Sequence, residues 1–402
     1  MTYKRFLLLC ANSIIQYFNY AIFSFCSLEL ALKFMPGDLS HHKLLNFFGI
    51  ITLTVLARPL GSLFLGSIGD KIGRKKAIII AGFLSSSGSL LVPFIPSYEL
   101  IGNLSSILLI IARMIFLAGL TGEIDGIRLY ISENLPSKKQ NLGNGIVTFL
   151  TQSGALAASL SLYLISDYQD GWKFCFLIGG ILGLIFTYIR STLPESFEYL
   201  QEKEKPSNYF NVTFIQIING QFGLLCKAAI ISGTIGCLYQ FFIIFLPIYF
   251  KLELNVNFSY YLPFYIILYG IGGVSFGYIA DIISGYQTVK KIALSLVITL
   301  LLLSYFLPHN TEALNYIILI GAFSISGFSV PCQMLIKNNI NIGIRYRIFS
   351  LGHSIGSLLI SSPTAFVCSK IGITFGINYI VIYPLFFLGL SFIAITSLSN
   401  KR

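Results

Sequence analysis

The chain has 402 residues, of which 55% are hydrophobic and only 11% are charged. With a mean hydropathy of +0.78, this composition excludes an ordinary water-soluble domain and is typical of a protein that crosses a membrane several times. The formal net charge of +11 does not indicate nucleic acid, because most of the 27 Lys and Arg residues fall on one side of the predicted spans. We therefore expect a lipid bilayer around the chain and no nucleic-acid partner.

Twelve apolar runs follow one another along the chain, and each is long enough to cross a bilayer as a helix. They are expected at about 6–32, 44–66, 77–95, 104–130, 143–166, 173–193, 226–250, 259–281, 292–308, 313–336, 346–368 and 375–397. These spans leave no room for a soluble catalytic domain. Since the basic residues are concentrated on the side of both termini, the positive-inside rule predicts that both termini are cytoplasmic.

A short basic loop between the second and third spans occurs again in the other half of the chain. Both copies contain two glycines and an aspartate at the same spacing: Gly61, Gly66 and Asp70 first, then Gly272, Gly277 and Asp281. Such a duplication indicates two similar bundles, an organisation that many secondary transporters share. We expect a six-helix bundle at 1–193, a cytoplasmic linker at 194–225 and a second six-helix bundle at 226–402. The mixed charges of the linker predict a solvated surface.

The sequence predicts no catalytic site. The seven cysteines are scattered singly through the predicted spans, so neither a disulfide nor a metal site is indicated. The chain also lacks a His-Glu-x-x-His zinc helix and a Gly-x4-Gly-Lys-Ser/Thr phosphate loop, which argues against a zinc enzyme and against ATP-driven transport. We therefore expect no enzyme activity, no cofactor and no metal.

The loop from Arg58 to Lys76 is the most specific of several motifs that together extend over most of the chain. The others are Arg113, Gly122-Glu123, Gly126, Glu133, Pro136, Gln152, Gly154, Gly171-Trp172-Lys173, Ile344-Arg345-Tyr346, Ser350-Leu351-Gly352 and Ile355-Gly356. This set resembles the major facilitator superfamily, and within it the bacterial metabolite:proton symporters, which include proline/betaine, shikimate, citrate and 2-oxoglutarate carriers. The resemblance implies an all-α integral membrane protein with twelve transmembrane helices in two pseudo-symmetric six-helix bundles. It also implies a monomer in the bacterial inner (plasma) membrane that moves a small-molecule substrate, with protons as the coupling ion.

One departure from this family bears on coupling. Helix one of the family usually carries a glutamate and an aspartate three residues apart, whereas Gln16 and Asn19 occupy that frame here. An amide cannot take up and release a proton at physiological pH, so this route for proton symport is missing. Two versions of a secondary transporter stay open: a proton-coupled carrier of a small polar metabolite or osmolyte (a carboxylate, or a zwitterion such as proline or betaine), and an uncoupled facilitator or exchanger. A receptor-like relative without transport is a further alternative.

Ionisable residues inside the membrane cost roughly 2.5–3.5 kcal/mol each, so those of the fourth span are candidate functional residues. Arg113 is suited to bind a substrate carboxylate through two hydrogen bonds, or to pair with an acid of a neighbouring helix. Glu123 is the best remaining candidate for a proton carrier, and a permanent ion pair is its alternative. Gln152 in the fifth span, with Tyr239 and Gln240 in the seventh, completes the predicted translocation path.

A polar stripe runs along the first predicted helix. Asn12, Gln16 and Asn19 are spaced four and three residues apart and therefore share one helix face. Such a face must turn away from lipid, either towards a cavity or towards a partner helix that it contacts through hydrogen bonds. We include Gln16 and Asn19 among the predicted translocation residues.

The duplicated loops are predicted to form a gate. The resemblance implies that Asp70 ends helix two and faces the start of helix eleven, where a helix N-terminus favours negative charge. Arg74 would then pair with Asp70 or Glu133, and such contacts would close the cytoplasmic side in one state and break in the other. The predicted gating set is Gly66, Asp70, Gly73, Arg74, Lys75, Glu133 and Asp281.

Overall fold

The computed structural model describes residues 3–36, 53–165, 168, 170–204, 214–253, 258, 261–307 and 311–399. These residues form helices and short connections, with no strand among them. The principal helices are α1 (Tyr3–Phe25), α2 (Ala57–Lys71), α3 (Arg74–Leu91), α4 (Asn103–Asn134), α5 (Gln140–Ile165), α6 (Trp172–Arg190), α7 (Phe214–Tyr239), α8 (Leu262–Ile282), α9 (Gly285–Phe306), α10 (Thr311–Asn338), α11 (Arg345–Gly356) and α12 (Ile382–Ser399).

Two of these helices change their winding and then continue. After α7 the chain forms a π-helical segment at Gln240–Phe245 and then the helix Leu246–Glu253. After α11 it forms a second π-helical segment at Ser357–Ser361 and then the helix Thr364–Phe375. Such wide turns interrupt the regular hydrogen-bond ladder and are frequent at functional sites.

The described residues contain ten helical stretches that are long and apolar enough to cross a membrane. The predicted all-α membrane fold is therefore confirmed. The expected second span is 44–66; residues 44–52 lie outside the described residues, and α2 contains its last part, from Ala57 onward. Mixed polar and apolar helices of this kind bury their polar face in the bundle and turn their apolar face to lipid.

The chain divides into two compact units. The first comprises Met1–Tyr130 and Leu150–Glu204, and the second comprises Ile131–Phe149 and Lys205–Arg402. The end of α4 and the start of α5 thus belong to the second unit. The predicted division into bundles at 1–193 and 226–402 stays a prediction.

In the first unit, α1, α3 and α6 pack against one another, and α2 and α4 lie close together. A Cβ added to Gly61 in α2 would meet the backbone of Ala118 in α4, so only glycine permits this approach. Beyond α1 the helix Ser27–Phe34 contributes Phe34, whose ring packs edge to face on Trp172 at 5.9 Å. Trp172 packs in the same way on Phe176 at 6.0 Å, which joins the start of α6 to this apolar cluster.

The first part of the predicted linker, 194–204, is mostly exposed or half-buried, and within it only Ser196 and Tyr199 are buried. A short helix, Phe197–Lys203, follows α6, and the ring of Tyr199 is buried. The guanidinium of Arg74 lies 5.1 Å from the centre of this ring. The segment therefore packs on the basic loop of its own unit, and α7 already begins within the last part of the predicted linker.

In the second unit, α8 packs on α10, and α7 packs on α11. The end of the second π-helical segment approaches α7 closely, since a Cβ on Gly236 of α7 would meet the side chain of Ser361. Pro331 lies inside α10, as expected for a membrane helix, in which packing compensates for the lost hydrogen bond. This unit supports Tyr239 and Gln240 at the junction of α7 with its π-helical segment.

Candidate functional site

Arg113 lies on α4 in an aromatic cage of the first unit. Its guanidinium carbon is 3.9 Å from the ring centre of Phe23, 5.0 Å from that of Phe116 and 5.2 Å from that of Tyr20. The residue is 5% exposed, and its Nε has no hydrogen-bond partner in the described part of the chain. No carboxylate among the described residues forms an ion pair with it. Within the described ranges, the pairing with an acid that is the alternative for Arg113 does not occur, and the role of Arg113 stays a prediction.

Cation–π contacts stabilise a buried guanidinium only in part. Each contributes roughly 0.5–2 kcal/mol, and the aromatic rings add no negative charge and accept no strong hydrogen bond. An arginine in the membrane interior therefore retains donors that a carboxylate would satisfy in a bidentate geometry. This makes Arg113 the best candidate for an anion contact in the first unit.

The polar stripe of α1 faces α3 and α6. Asn12, Gln16 and Asn19 are all fully buried. Gln16 Nε2 donates to Ser86 Oγ at 2.8 Å, and Asn12 Nδ2 lies 3.2 Å from the hydroxyl of Thr187. Asn12 and Gln16 thus make interhelical hydrogen bonds, whereas neither amide atom of Asn19 has a hydrogen-bond partner in the described part of the chain. A role of Gln16 and Asn19 in translocation stays a prediction.

Glu123 is the centre of a buried polar network. Its Oε1 accepts hydrogen bonds from Arg190 Nη1 at 2.9 Å and from Asn12 Nδ2 at 3.1 Å. Its Oε2 is 3.3 Å from the hydroxyl of Ser85. Glu123 is fully buried, and Arg190 is 1% exposed and also donates to the carbonyl of Leu9. The carboxylate is therefore paired and hydrogen-bonded on both oxygens.

Sequence reasoning misses the role of Arg190. It is the last residue of α6, so its charge is taken for a loop cation that marks the cytoplasmic side. The position of Glu123 within a predicted span is the sequence feature that indicates such a partner, since a buried carboxylate requires a nearby cation. A small surface pocket reaches Arg190 and is lined by Leu9, Lys75 and Tyr130, among others.

The first basic loop is closed by a buried ion pair. Arg74 Nη1 donates to Asp70 Oδ1 at 2.6 Å, and both side chains are inaccessible to solvent. Asp70 is one of the two partners expected for Arg74, and both residues belong to the first unit. Gly73 precedes α3, and its backbone φ is +148°. Residues other than glycine rarely adopt this conformation.

The carboxylate of Glu195 holds the start of α3. The backbone N–H of Lys75 donates to Glu195 Oε1 at 3.0 Å and lies 3.3 Å from Oε2. A negative charge at this position satisfies a free N–H group and interacts favourably with the helix dipole. Glu195 is a second residue that sequence reasoning misses, because its partner lies 120 positions away.

The second copy of the loop makes a different contact. Asp281, near the end of α8, accepts hydrogen bonds from the backbone N–H of Asn141 at 3.1 Å and of Leu142 at 2.8 Å. The side-chain amide of Asn141 also donates to it at 2.8 Å. Asp281 therefore caps the N-terminus of α5, and both residues belong to the second unit.

Three further contacts in the second unit join 131–149 to α10 and α11. Arg345 Nη1 donates to Glu133 Oε1 at 3.0 Å. Asn144 Nδ2 donates to Gln333 Oε1 at 2.9 Å, and Lys337 Nζ lies 3.3 Å from Gln140 Oε1. The predicted gating residues Glu133 and Asp281 therefore both lie in polar contacts at helix ends.

The remaining predicted residues are placed as follows. Tyr239 ends α7, and its ring packs edge to face on that of Tyr269 at 5.1 Å. Gln240 begins the first π-helical segment and is half-buried. Gln152 on α5 and Gly66 on α2 are buried, and Lys75 is half-buried. Their roles in translocation and gating stay predictions.

The described residues contain no group of three or more His, Cys, Asp or Glu that would hold a metal ion. Two matches to the Gly-x-Ser-x-Gly pattern occur, at 273–277 and 352–356, and both lie within the helices α8 and α11. The nucleophile of a hydrolase needs a sharp turn between a strand and a helix instead. These matches therefore do not define a catalytic site.

Comparison with known families agrees with this architecture. The family model described as the Major Facilitator Superfamily matches residues 8–361, which is most of the chain. The chain belongs to the Major Facilitator Superfamily.

Individual relatives match a smaller part. A protein of Staphylococcus haemolyticus (strain JCSC1435), whose description as a proline/betaine transporter is provisional, is 31% identical over 227 residues, or 54% of this chain and 48% of its own. The proline/betaine transporter of Escherichia coli (strain K12) is 29% identical over 197 residues, or 47% of this chain and 39% of its own. The matched region thus spans less than half the length of these relatives.

Solved structures match over nearly the whole chain. The proton:xylose symporter XylE superposes with a TM-score of 0.73 at 17% identity and covers 97% of this chain and 94% of its own. The human organic anion transporter MFSD10 also gives a TM-score of 0.73, at 14% identity, and covers 98% of this chain and 100% of its own. At these identities the likeness establishes the fold.

Proposed function

We propose that this chain is a secondary transporter that moves a small polar metabolite carrying a carboxylate across the bacterial plasma membrane by alternating access. It acts as a monomer with both termini in the cytoplasm. The predicted spans, the distribution of basic residues and the family support this proposal.

The observation that carries the proposal is Arg113. It is a buried guanidinium in an aromatic cage, with no carboxylate in ion-pair contact among the residues described. Its remaining donors match a carboxylate in charge and in geometry. A substrate that supplies this group would be held at a fixed depth, because α4 packs tightly on α2 at Gly61.

The substrates named for relatives support the same chemistry. The relatives' names include proline and betaine, and one from Dickeya dadantii (strain 3937) is named for glycine betaine, proline, ectoine and pipecolic acid. All of these compounds carry a carboxylate. That shared group is the part of the relatives' chemistry that we transfer to this chain.

The helix-end contacts support a gate. Asp281 accepts hydrogen bonds from the start of α5, and Arg345 donates to Glu133; both contacts are charge-assisted and therefore stronger than neutral hydrogen bonds. We propose that they hold the cytoplasmic side closed in one state and separate when the substrate leaves on that side. The pair Asp70–Arg74 would keep the first loop rigid throughout the cycle.

Proton coupling in this chain would depend on Glu123. A proton-coupled cycle would require Glu123 to leave Arg190 and take up a proton, since Gln16 and Asn19 carry no acid. The ion pair of Glu123 and the two amides on α1 favour the second candidate, an uncoupled facilitator or exchanger of the same substrate class. In that candidate the Glu123 network has a structural role.

Uptake into proteoliposomes tests both candidates. Labelled proline, glycine betaine, 2-oxoglutarate, citrate and shikimate would be supplied with and without an imposed proton gradient. We expect uptake of at least one compound, and a loss of roughly tenfold or more in Arg113→Gln because a bidentate charged contact is removed. Lys71→Gln is the matched control, since it removes an exposed cation at the end of α2.

The outcomes separate the candidates. Accumulation above the external concentration that depends on the gradient, and is lost in Glu123→Gln, would support proton symport. Equilibration without accumulation would support the facilitator. Absence of flux for every compound, with ligand binding intact, would overturn transport and favour a receptor-like protein.

A further inference from the structure

Among the described rings around Arg113, that of Phe23 is the nearest. The guanidinium carbon lies 3.9 Å from the ring centre of Phe23, and it lies 5.0 Å from that of Phe116 and 5.2 Å from that of Tyr20. An approach in the plane of the ring would collide with the ring atoms at 3.9 Å, so the carbon lies over the ring face. Because no nitrogen fits between this carbon and the ring, the flat guanidinium group lies across the ring and does not point at it.

This contact leaves the donors of Arg113 free to meet a ligand. A guanidinium group carries all its N–H donors in its own plane, at its edges. A ring that covers one face therefore fixes the plane in which the donors point without covering them. The Nε of Arg113 has no hydrogen-bond partner within the described ranges. The orientation of the group thus depends on the aromatic contacts, since no hydrogen bond from Nε fixes it there.

Phe23 is itself held in place by a second helix. It belongs to α1, is 2% exposed, and its ring packs edge to face on that of Phe176 in α6, with ring centres 6.3 Å apart. Phe176 is also buried and packs in the same way on Trp172. Such close packing restricts the ring of Phe23 to one position. Through that ring, α1 and α6 define where the guanidinium on α4 lies.

The other two rings restrict Arg113 less. Phe116 follows Arg113 by three residues on the same helix, so it moves together with Arg113 and gives no reference to a neighbouring helix. Tyr20 belongs to α1, as Phe23 does, but it is half-buried and its ring centre is farther away. Phe23 therefore combines the shortest distance with an anchor outside α4.

We infer that Phe23 is a positioning residue for the carboxylate contact, and that its ring sets the plane in which Arg113 presents its donors to the substrate. The inference rests on the proposed function and adds a residue to its site. Two parallel hydrogen bonds to a carboxylate require the carboxylate to lie nearly in the guanidinium plane. If the ring fixes that plane in advance, the substrate does not have to order the arginine side chain, and it binds more tightly.

Uptake kinetics of a variant without the ring test this role. Initial rates would be measured in proteoliposomes for labelled proline, glycine betaine, 2-oxoglutarate, citrate and shikimate over a range of concentrations. We expect Phe23→Leu to raise KM roughly three- to tenfold for each compound that the wild-type chain moves, because the cation–π contact that orders Arg113 is lost. The maximal rate per folded transporter should change little, since binding is weakened and no later step is.

Two further variants separate positioning from packing. Phe34→Leu removes a buried ring from the same apolar cluster, and Phe34 lies beyond Phe176 and Trp172 in the row of rings that starts at Phe23. It should lower the amount of folded transporter, and with it the maximal rate, and leave KM unchanged. Phe23→Tyr keeps the ring face and should have a KM close to that of the wild type. The thermal unfolding temperature shows which variants are folded.

A double-mutant cycle tests whether Phe23 acts through Arg113. In Arg113→Lys the charge is retained, but an ammonium group has no plane for a ring to fix. We therefore expect Phe23→Leu to raise KM less than about twofold when it is added to Arg113→Lys, so that the two effects are not additive. Two independent packing defects would add instead.

Two results would overturn the inference while the proposed function stands. One is an unchanged KM in a folded Phe23→Leu variant, with uptake still lost in Arg113→Gln. The other is the same rise in KM on Phe23→Leu in the wild-type and the Arg113→Lys backgrounds. If the wild-type chain takes up none of the five compounds, both the inference and the carboxylate substrate of the proposed function fail.

Discussion

Arg190 donates a hydrogen bond of 2.9 Å to the carboxylate of Glu123, although the two residues are 67 positions apart and both are buried. This contact joins the end of α6 to the middle of α4. Asn12 on α1 and Ser85 on α3 bond to the same carboxylate, so four helices meet at one acid. The first unit is therefore organised around a polar centre as well as around its apolar clusters.

Removal of one member of this pair should be strongly destabilising. We expect Arg190→Met to lower the free energy of unfolding by roughly 3 kcal/mol or more, because Glu123 would remain as a buried charge without its cation. The double variant Arg190→Met with Glu123→Gln should lose less than Arg190→Met alone. Thermal and denaturant unfolding in detergent would measure both.

If Glu123 and Arg190 form a permanent structural ion pair, the double variant is more stable than Arg190→Met alone. If the double variant is less stable than Arg190→Met, the Glu123 charge is already compensated by other groups and the pair is not the organising contact.

The contact of α2 with α4 should not tolerate a methyl group. A Cβ at Gly61 would meet the backbone of Ala118, which cannot move aside like a side chain. We expect Gly61→Ala to cost about 1–3 kcal/mol through overpacking, despite the better helix propensity of alanine. Gly389→Ala on α12 is the control, because a Cβ there meets no other atom within 4 Å. Equal melting temperatures for the two variants would contradict this close packing.

The cap on α5 should control access from the cytoplasmic side. Asp281→Ala removes the acceptor of two backbone N–H groups and of the Asn141 amide, at a cost of about 1 kcal/mol for the helix N-terminus. We expect faster labelling of a cysteine introduced at Asn141 by a membrane-impermeant thiol reagent in inverted vesicles. Asp281→Asn retains an acceptor and should label at an intermediate rate. Slower labelling in Asp281→Ala than in the parent would argue against the gate.

The ion pairs of Asp170, which lies outside the predicted membrane spans, should make the stability of the fold depend on pH. Its carboxylate accepts hydrogen bonds from Lys173 at 2.7 Å and from Lys33 at 3.4 Å. These contacts, led by the hydrogen bond from Lys173, lower the pKa of Asp170 below its ordinary value.

A carboxyl group whose pKa is lower in the folded state stabilises the fold fully above its unfolded pKa, near 3.9, and loses this contribution as the pH falls through the folded value. We expect the melting temperature of the wild-type chain to fall between about pH 5 and pH 3 by more than that of Asp170→Asn. The exposed Glu99→Gln provides the control. Parallel pH profiles for wild type and Asp170→Asn would refute the prediction.

The sequence predicts the fold class well because apolar runs of membrane length have few alternative structures. Apolar runs do not indicate which polar side chains contact one another in the folded bundle. Arg74 and Asp70 are four residues apart across the turn from α2 to α3, whereas the partners of Glu123 and Lys75 lie 67 and 120 positions away. Such contacts depend on helix packing, which no local pattern reveals.

The polar stripe of α1 illustrates the same limit. Its spacing predicts that Asn12, Gln16 and Asn19 turn inward, and they do. Spacing does not distinguish a cavity from a helix interface. In this structure two glycines of α6 let that helix lie against the stripe, since a Cβ at Gly179 would meet Asn19 and a Cβ at Gly183 would meet Gln16. Small residues on a facing helix would be the sequence signal for that outcome.

Trp172 packs edge to face between Phe34 and Phe176. Trp172 is the sole tryptophan of the chain, so tryptophan fluorescence originates at one known point, where Ser27–Phe34 meets the start of α6. Any spectral change on adding a solute would report on the surroundings of that junction, without an engineered label. The native chain thus carries its own site-specific reporter.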